Sequence, residues 1–262
     1  MNKTLLVLAS TLAIAALPQM ALAQTAAPAA PAAAPAEPEA SPLSFNVSLT
    51  SDYRYRGISQ SRLKPAIQGG VDYALPAGFY IGAWASSIKW IKDGGGDGSV
   101  EIDLYGGYKG EIAKDFTYDV GVLTYQYPRN HLATSANTTE IYGALTYGPA
   151  TLKYSHSVSN LFGFVDSKNS GYIDLSATFE VGPAIQLIPH VGHQRVAGSG
   201  NSDFSYTDYS FTVGKDFSGF FLSAAVVGTD AKKIGGVPVY SYNSGEKDLG
   251  KTGLVIAVKK TF

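Results

Sequence analysis

Few residues of this 262-residue chain have the types that chemistry needs, and their spacing decides what they could do. Nucleophilic catalysis needs a hydroxyl or thiol beside a base. Cysteine is absent, and the histidines are His131, His156, His190 and His193. The run His156-Ser157-Val158-Ser159-Asn160 offers suitable residue types. In an extended strand, however, His156 shares its face with Val158 while Ser159 projects from the other side, so the two cannot exchange a proton. His190 and His193, three apart, also fall on opposite faces of a strand and cannot hold one metal together. The reading is of a protein with no catalytic residue, no metal site and no cofactor.

Carboxylates and guanidiniums make the more productive pattern. Asp52, Arg54 and Arg56 alternate with Tyr53 and Tyr55, so they share one face of an extended chain. Asp72, Glu101 and Asp103 take the polar face of nearby segments. Such a set suits two compatible roles: a salt-bridge network that neutralises buried charge, or a constriction whose charges screen solutes. Arg54 and Arg56 are expected to pair with Asp72, Glu101 or Asp103. Leu161, Phe162 and Phe164 form an apolar loop cluster that either packs on a rim or folds inward as a gate, and the rim is the expectation.

The elements that position these charges are strands. From Phe45 onward the pattern has period two: Phe45, Val47 and Leu49 oppose Asn46, Ser48 and Thr50; Ile67, Val71 and Tyr73 oppose Gln68, Gly70 and Asp72; Val100, Ile102 and Leu104 oppose Glu101 and Asp103. The spacing predicts twelve strands, at 45–56, 65–75, 78–90, 99–109, 116–127, 138–147, 150–159, 170–181, 184–195, 205–215, 219–229 and 252–262. In the third, both faces carry apolar residues and the inside is left open. Connections alternate between short (Pro76-Ala77, Gly148-Pro149, Gly182-Pro183) and long (57–64, 128–137, 230–251). The turns Tyr147-Gly148-Pro149-Ala150 and Val181-Gly182-Pro183-Ala184 look like one hairpin used twice.

Sorted loops, strands of about 9–11 residues and one greasy face per strand describe an antiparallel transmembrane β-barrel, with short turns at the periplasmic end and longer extracellular loops. In hydrocarbon the sheet must close, because unpaired strand edges cost several kcal/mol per polar group. Composition agrees: 17 Tyr, 12 Phe and 29 Gly accompany only 16% charged residues, where about a quarter is usual. About twelve strands lie between barrels filled by side chains and wide channels, so a narrow pore is expected. Solutes would be small and hydrophilic. A formal charge of −1 implies no nucleic-acid surface.

The termini fit export. Lys3 precedes the apolar run Leu5–Leu17, then Ala21-Leu22-Ala23, which reads as a signal peptide (1–23) cleaved after Ala23. Residues 24–42, rich in Ala and Pro, read as a periplasmic linker, and 43–262 as the barrel. Leu254, Ile256, Val258 and Phe262 alternate at the C-terminus, with Lys260 as an interruption able to snorkel. Outer-membrane lipid and lipopolysaccharide are the expected surroundings. The chain ends on an aromatic, as expected of a segment read by the barrel assembly machinery, with Phe262 as the signal.

Several stretches are more particular: Ser51-Asp52-Tyr53-Arg54 through Arg56-Gly57-Ile58-Ser59-Gln60-Ser61, Pro65-Ala66-Ile67-Gln68-Gly69-Gly70, Gly78-Phe79-Tyr80-Ile81-Gly82, Glu101-Ile102-Asp103-Leu104-Tyr105-Gly106-Gly107-Tyr108, Glu140-Ile141-Tyr142-Gly143 and Lys260-Thr261-Phe262. Together they resemble the TorF-type porin family of proteobacterial outer-membrane proteins, over almost the whole chain after the linker. The resemblance implies a pore-forming barrel and carries over no catalytic or substrate-binding residue.

Overall fold

A computed structural model describes residues 41–242 and 245–262. The signal-peptide reading and all but the last two residues of the linker lie outside the described residues.

Period-two alternation produces twelve strands that close on themselves: β1 (Leu43–Thr50), β2 (Ala66–Ala74), β3 (Phe79–Ser87), β4 (Val100–Ala113), β5 (Phe116–Gln126), β6 (Thr138–Tyr147), β7 (Ala150–Ser157), β8 (Gly171–Ala177), β9 (Ile185–Arg195), β10 (Tyr206–Phe217), β11 (Phe220–Thr229) and β12 (Gly253–Thr261). Each pairs antiparallel with the next, and β1 pairs β12 from Asn46↔Thr261 to Thr50↔Ala257. Phe45 and Phe262 complete this seam with two backbone bonds, 3.2 and 2.8 Å. No edge is left open, as a membrane barrel requires. Short turns gather at the end that holds both described termini, and long loops at the other.

The two faces sort as the alternation predicts. Leu49, Ile81, Val122, Leu152, Phe211 and Leu254 project outward and remain about half exposed, a belt fit for lipid. Thr50, Gln68, Asp72, Asp103, Glu140 and Asp174 point inward. In β3, whose pattern was ambiguous, Tyr80 and Ser86 prove to be the buried, inward side. The abundance of Tyr and Gly has a steric cause here. Rings of Tyr105, Tyr80, Tyr142 and Phe221 lie over Gly82, Gly107, Gly121 and Gly214 on neighbouring strands, where a Cβ would collide with them. Glycine leaves the space, and the ring covers the bare backbone.

Three expectations need correction. β1 ends at Thr50 instead of running to residue 56, because the chain turns inward after Ser51 and forms a hairpin of its own, Arg54–Tyr55 against Ile58–Ser59. Its tip, Arg56-Gly57, has positive φ at both residues (46° and 78°), the two-residue turn that suits a tight ribbon. β3 ends at Ser87 and is followed by a helical turn, Trp90–Asp93. The two Gly-Pro turns also differ. β7 resumes at Ala150, immediately after Pro149, whereas Ala184 has φ 59° and belongs to the second turn.

Candidate functional site

The hairpin after β1 crosses the lumen near its loop-covered end. A Cβ at Gly57 would lie 2.8 Å from Asp208 Cβ on β10 and 3.2 Å from the Gly228 carbonyl on β11, so the tip rests against the wall at these two strands and only Gly fits. Its base is tied by Asp52, whose Oδ1 accepts from Ser59 Oγ at 2.5 Å and Ser61 Oγ at 3.0 Å, and whose Oδ2 pairs with Arg54 Nε. Arg54 Nη1 then donates to the carbonyls of Gly57, Leu249 and Lys251 at 2.9–3.1 Å, fastening the hairpin to the last loop. Arg56 reaches furthest. It donates to both oxygens of Glu140 on β6 (3.1 and 2.7 Å) and to Gln194 Oε1 on β9 (2.6 Å), with the Tyr172 ring of β8 beneath it at 4.2 Å.

All six charges read from the sequence are therefore inside, but the expected partners are not theirs. Arg54 takes Asp52 and Arg56 takes Glu140, because the hairpin carries the guanidiniums off the β1 pleat and across the lumen. Asp72 accepts from the Tyr105 hydroxyl. Glu101 accepts from Tyr53 at 2.5 Å and also from Tyr127, whereas Asp103 Oδ1 is buried with no hydrogen-bond partner. Burial pushes the phenols of Tyr53 and Tyr127 well above their ordinary range, which keeps both as donors.

Aromatic packing fills the space beside the hairpin. Tyr53 meets Trp84 edge-on at 5.5 Å, Trp90 meets Tyr127 at 5.0 Å, and Phe162 packs between Tyr55 (5.6 Å) and Tyr125 (5.1 Å). Leu161 is buried, while Phe164 sits on Phe204 and Tyr240 among the loops. The rim expectation thus fits Phe164 and fails for Phe162. That ring goes inward because the aromatic faces inside offer it burial that loop solvent cannot.

Below this plug the wall carries a second set of charges that the sequence reading did not single out. One hydrogen-bonded row runs Lys109↔Asp119↔Ala144↔Lys153↔Asp174↔Gly192↔Asp208 across seven strands. Each of these residues faces inward, so the row is an oblique track of mixed sign around the lumen. Lys109 Nζ is 3.6 Å from Asp119, Lys153 lies over the Tyr142 ring at 4.2 Å, and His190 stands 3.6 Å from Asp208 and 3.9 Å from Asp174. The signal was present as the same alternation in each strand. Sequence alone could not supply the register that aligns one strand with the next.

His190 and His193 fall on opposite faces of β9, as the alternation predicts, whereas Ser159 lies beyond the end of β7. His156 faces outward to Asn169 (3.2 Å), while Ser157 lies on the opposite, buried face. Ser159 Oγ donates to the Asn160 carbonyl and accepts from Thr139 N–H. His193 contacts Thr207 outside the lumen that holds His190. Among the described residues no cluster of His, Asp or Glu has metal-holding geometry. Lys260 lies along the outer wall with its ammonium 4.7 Å from the Phe220 ring, a snorkelling position near the turn end.

Comparison with known proteins adds two findings. A family model described as a bacterial protein of unknown function (Gcw_chp) matches residues 32–262. No curated protein matches the sequence. Among solved structures, the NanC porin aligns with a TM-score of 0.52 at 10% identity, over 84% of this chain and 98% of that one. OprD from Pseudomonas aeruginosa aligns at 0.39 and 11% identity, over 86% and 66%. The NanC likeness bears on the fold, and on the fold alone.

Proposed function

The chain belongs to the Gcw_chp family of bacterial proteins of unknown function, and on that footing we propose that it is an outer-membrane channel for small hydrophilic solutes. The observation that carries this reading is the track of inward charges, Lys109 to Asp208, inside a closed barrel whose outside is apolar. Buried charge is costly where it serves only to fill space, whereas a hydrated lumen accommodates both signs and lets them screen solutes. The porin resemblance of the fold supports the same reading, and the TorF-type affinity seen in the sequence belongs with it. Export by cleavage after Ala23, surroundings of lipid and lipopolysaccharide, and delivery to the assembly machinery through the C-terminal strand are further parts of the proposal. Asp52, Arg54, Arg56, Asp72, Glu101 and Asp103 form the narrow part of the path.

Purified protein in planar bilayers tests the proposal by single-channel conductance. Discrete steps with an ion preference that changes when lumen charges change are expected, and a silent barrel would overturn it. A second reading, a structural barrel with a closed lumen, draws on one observation: the Arg56–Glu140 pair and the aromatic plug shut the loop end. It requires the same bilayers to stay silent even when the hairpin is loosened. A lipid-acting barrel enzyme would need a hydroxyl nucleophile at His156, whose ring nitrogens meet Tyr154 and Asn169.

A further inference from the structure

We propose that Glu101 and Asp103 form a binding subsite for a small organic cation with N–H donors, a protonated primary amine or a guanidinium, at the loop end of the lumen. This names the solute class of the channel and rests on that reading, since the ligand is the solute in transit. Two carboxylates occupy adjacent inward positions of β4, each at most 2% exposed. The guanidiniums nearby are committed elsewhere, Arg54 to Asp52 and Arg56 to Glu140. Among the described residues no ion pair reaches either carboxylate. Uncompensated buried anions are strongly unfavourable, so the pair calls for a proton or a cation.

Two observations favour the cation. Glu101 already accepts from two phenols, an arrangement that suits the anion. Asp103 Oδ1 is a buried acceptor with no hydrogen-bond donor paired to it. The missing partner is thus an N–H or O–H donor carrying positive charge. The surroundings specify its character. Register sets Asp103 directly between Trp84 on β3 and Tyr125 on β5, and Tyr53 stands edge-on to Trp84. Aromatic faces attract organic ammonium and guanidinium groups, whereas a divalent metal would want more oxygen ligands than this wall presents. Tyr53 of the hairpin and Trp90 pack in the same cluster as Trp84 and Tyr125, so a ligand reaches the position only as this packing opens.

Calorimetric titration of the full-length, detergent-solubilised protein with 1,4-diaminobutane tests the subsite, with uncharged 1,4-butanediol and calcium chloride as comparisons. Saturable binding of the diamine, none of the diol, and affinity about tenfold or more weaker in Asp103→Asn are expected. Heat-modifiable migration checks that Asp103→Asn and Glu101→Gln remain folded. No saturable diamine binding, calcium binding in its place, or affinity unchanged in both variants would overturn the proposal. Conductance, measured separately, tells the two readings apart: a barrel that conducts but does not bind the diamine loses the subsite only, and one that binds but does not conduct loses the channel only.

Discussion

Arg56 and Glu140 stand 84 residues apart in sequence and meet inside the barrel through two parallel N–H···O bonds of 3.1 and 2.7 Å, both side chains almost fully buried. The pair joins a loop to the opposite wall, so it holds the hairpin in the lumen. Breaking a buried pair leaves one charge stranded, at about 3–5 kcal/mol. Arg56→Met should therefore lower stability by about that amount in urea unfolding from vesicles. Arg56→Met combined with Glu140→Met should recover most of the loss, and a double variant as unstable as the single one would show that the pair is not what the single variant disrupts.

Loosening the hairpin at both anchors is a different experiment. Arg54→Ala with Arg56→Ala removes the ties to Gly57, Leu249 and Lys251 and the tie to Glu140 together. Conductance in planar bilayers should rise and ion preference should move toward cations, because Asp52 and Glu140 lose their counter-charges. Unchanged conductance and unchanged preference would place the hairpin outside the conducting path.

How much of this was legible follows from range. Strand number, sidedness and loop sorting are local properties, written in alternations such as Phe45-Asn46-Val47-Ser48, and they carried through to the barrel. Asp52, Arg54 and Arg56 are buried, but not through the pleat that the alternation suggested, since the strand stops at Thr50. Arg56-Gly57 carries a turn signal, but an alternating flank hid it: Tyr53 and Tyr55 read as a lipid-facing row and are in fact the greasy side of a plug. Glu140, Gln194 and the Lys109-to-Asp208 row depend on register between strands far apart in sequence, which no local pattern encodes.

Phe262 combines a largely exposed ring with two backbone bonds to Phe45 at the seam. Ring and backbone can be separated. Phe262→Ala keeps the bonds, so the purified variant should unfold at nearly the wild-type urea midpoint while the amount of heat-modifiable protein in the outer membrane falls several-fold. Normal amounts in the membrane would remove the ring as an assembly signal.

Val122 lies midway along β5 on the outer face, about half exposed. An arginine at the midplane of a lipid-facing surface costs about 2–4 kcal/mol. Val122→Arg should lose stability in that range when folding into lipid vesicles is titrated with urea, and should lose much less in detergent micelles, which deform around the charge. Equal losses in both would mean that the belt does not face hydrocarbon.

Lys153 offers the sharpest probe of the lumen, because the hydrogen-bonded row places it between Ala144 and Asp174, with Asp119 one strand further on and Asp208 two strands beyond Asp174. Its ammonium is inward and sits over the Tyr142 ring, so its removal alters the path without touching the hairpin or the outer belt. Lys153→Gln keeps most of the side-chain volume and deletes one positive charge from a track that holds three carboxylates. The field along the path then becomes more negative, and cations gain over anions. In a potassium chloride gradient the reversal potential should move toward the potassium equilibrium potential. The shift should shrink at high salt, as screening shortens the reach of the remaining charges to about 3 Å at 1 M. Lys153→Glu should move it further in the same direction. An open pore whose reversal potential is the same for wild type, Lys153→Gln and Lys153→Glu would mean that ions pass without meeting this row, and the charged track would then brace the wall and not select the solute.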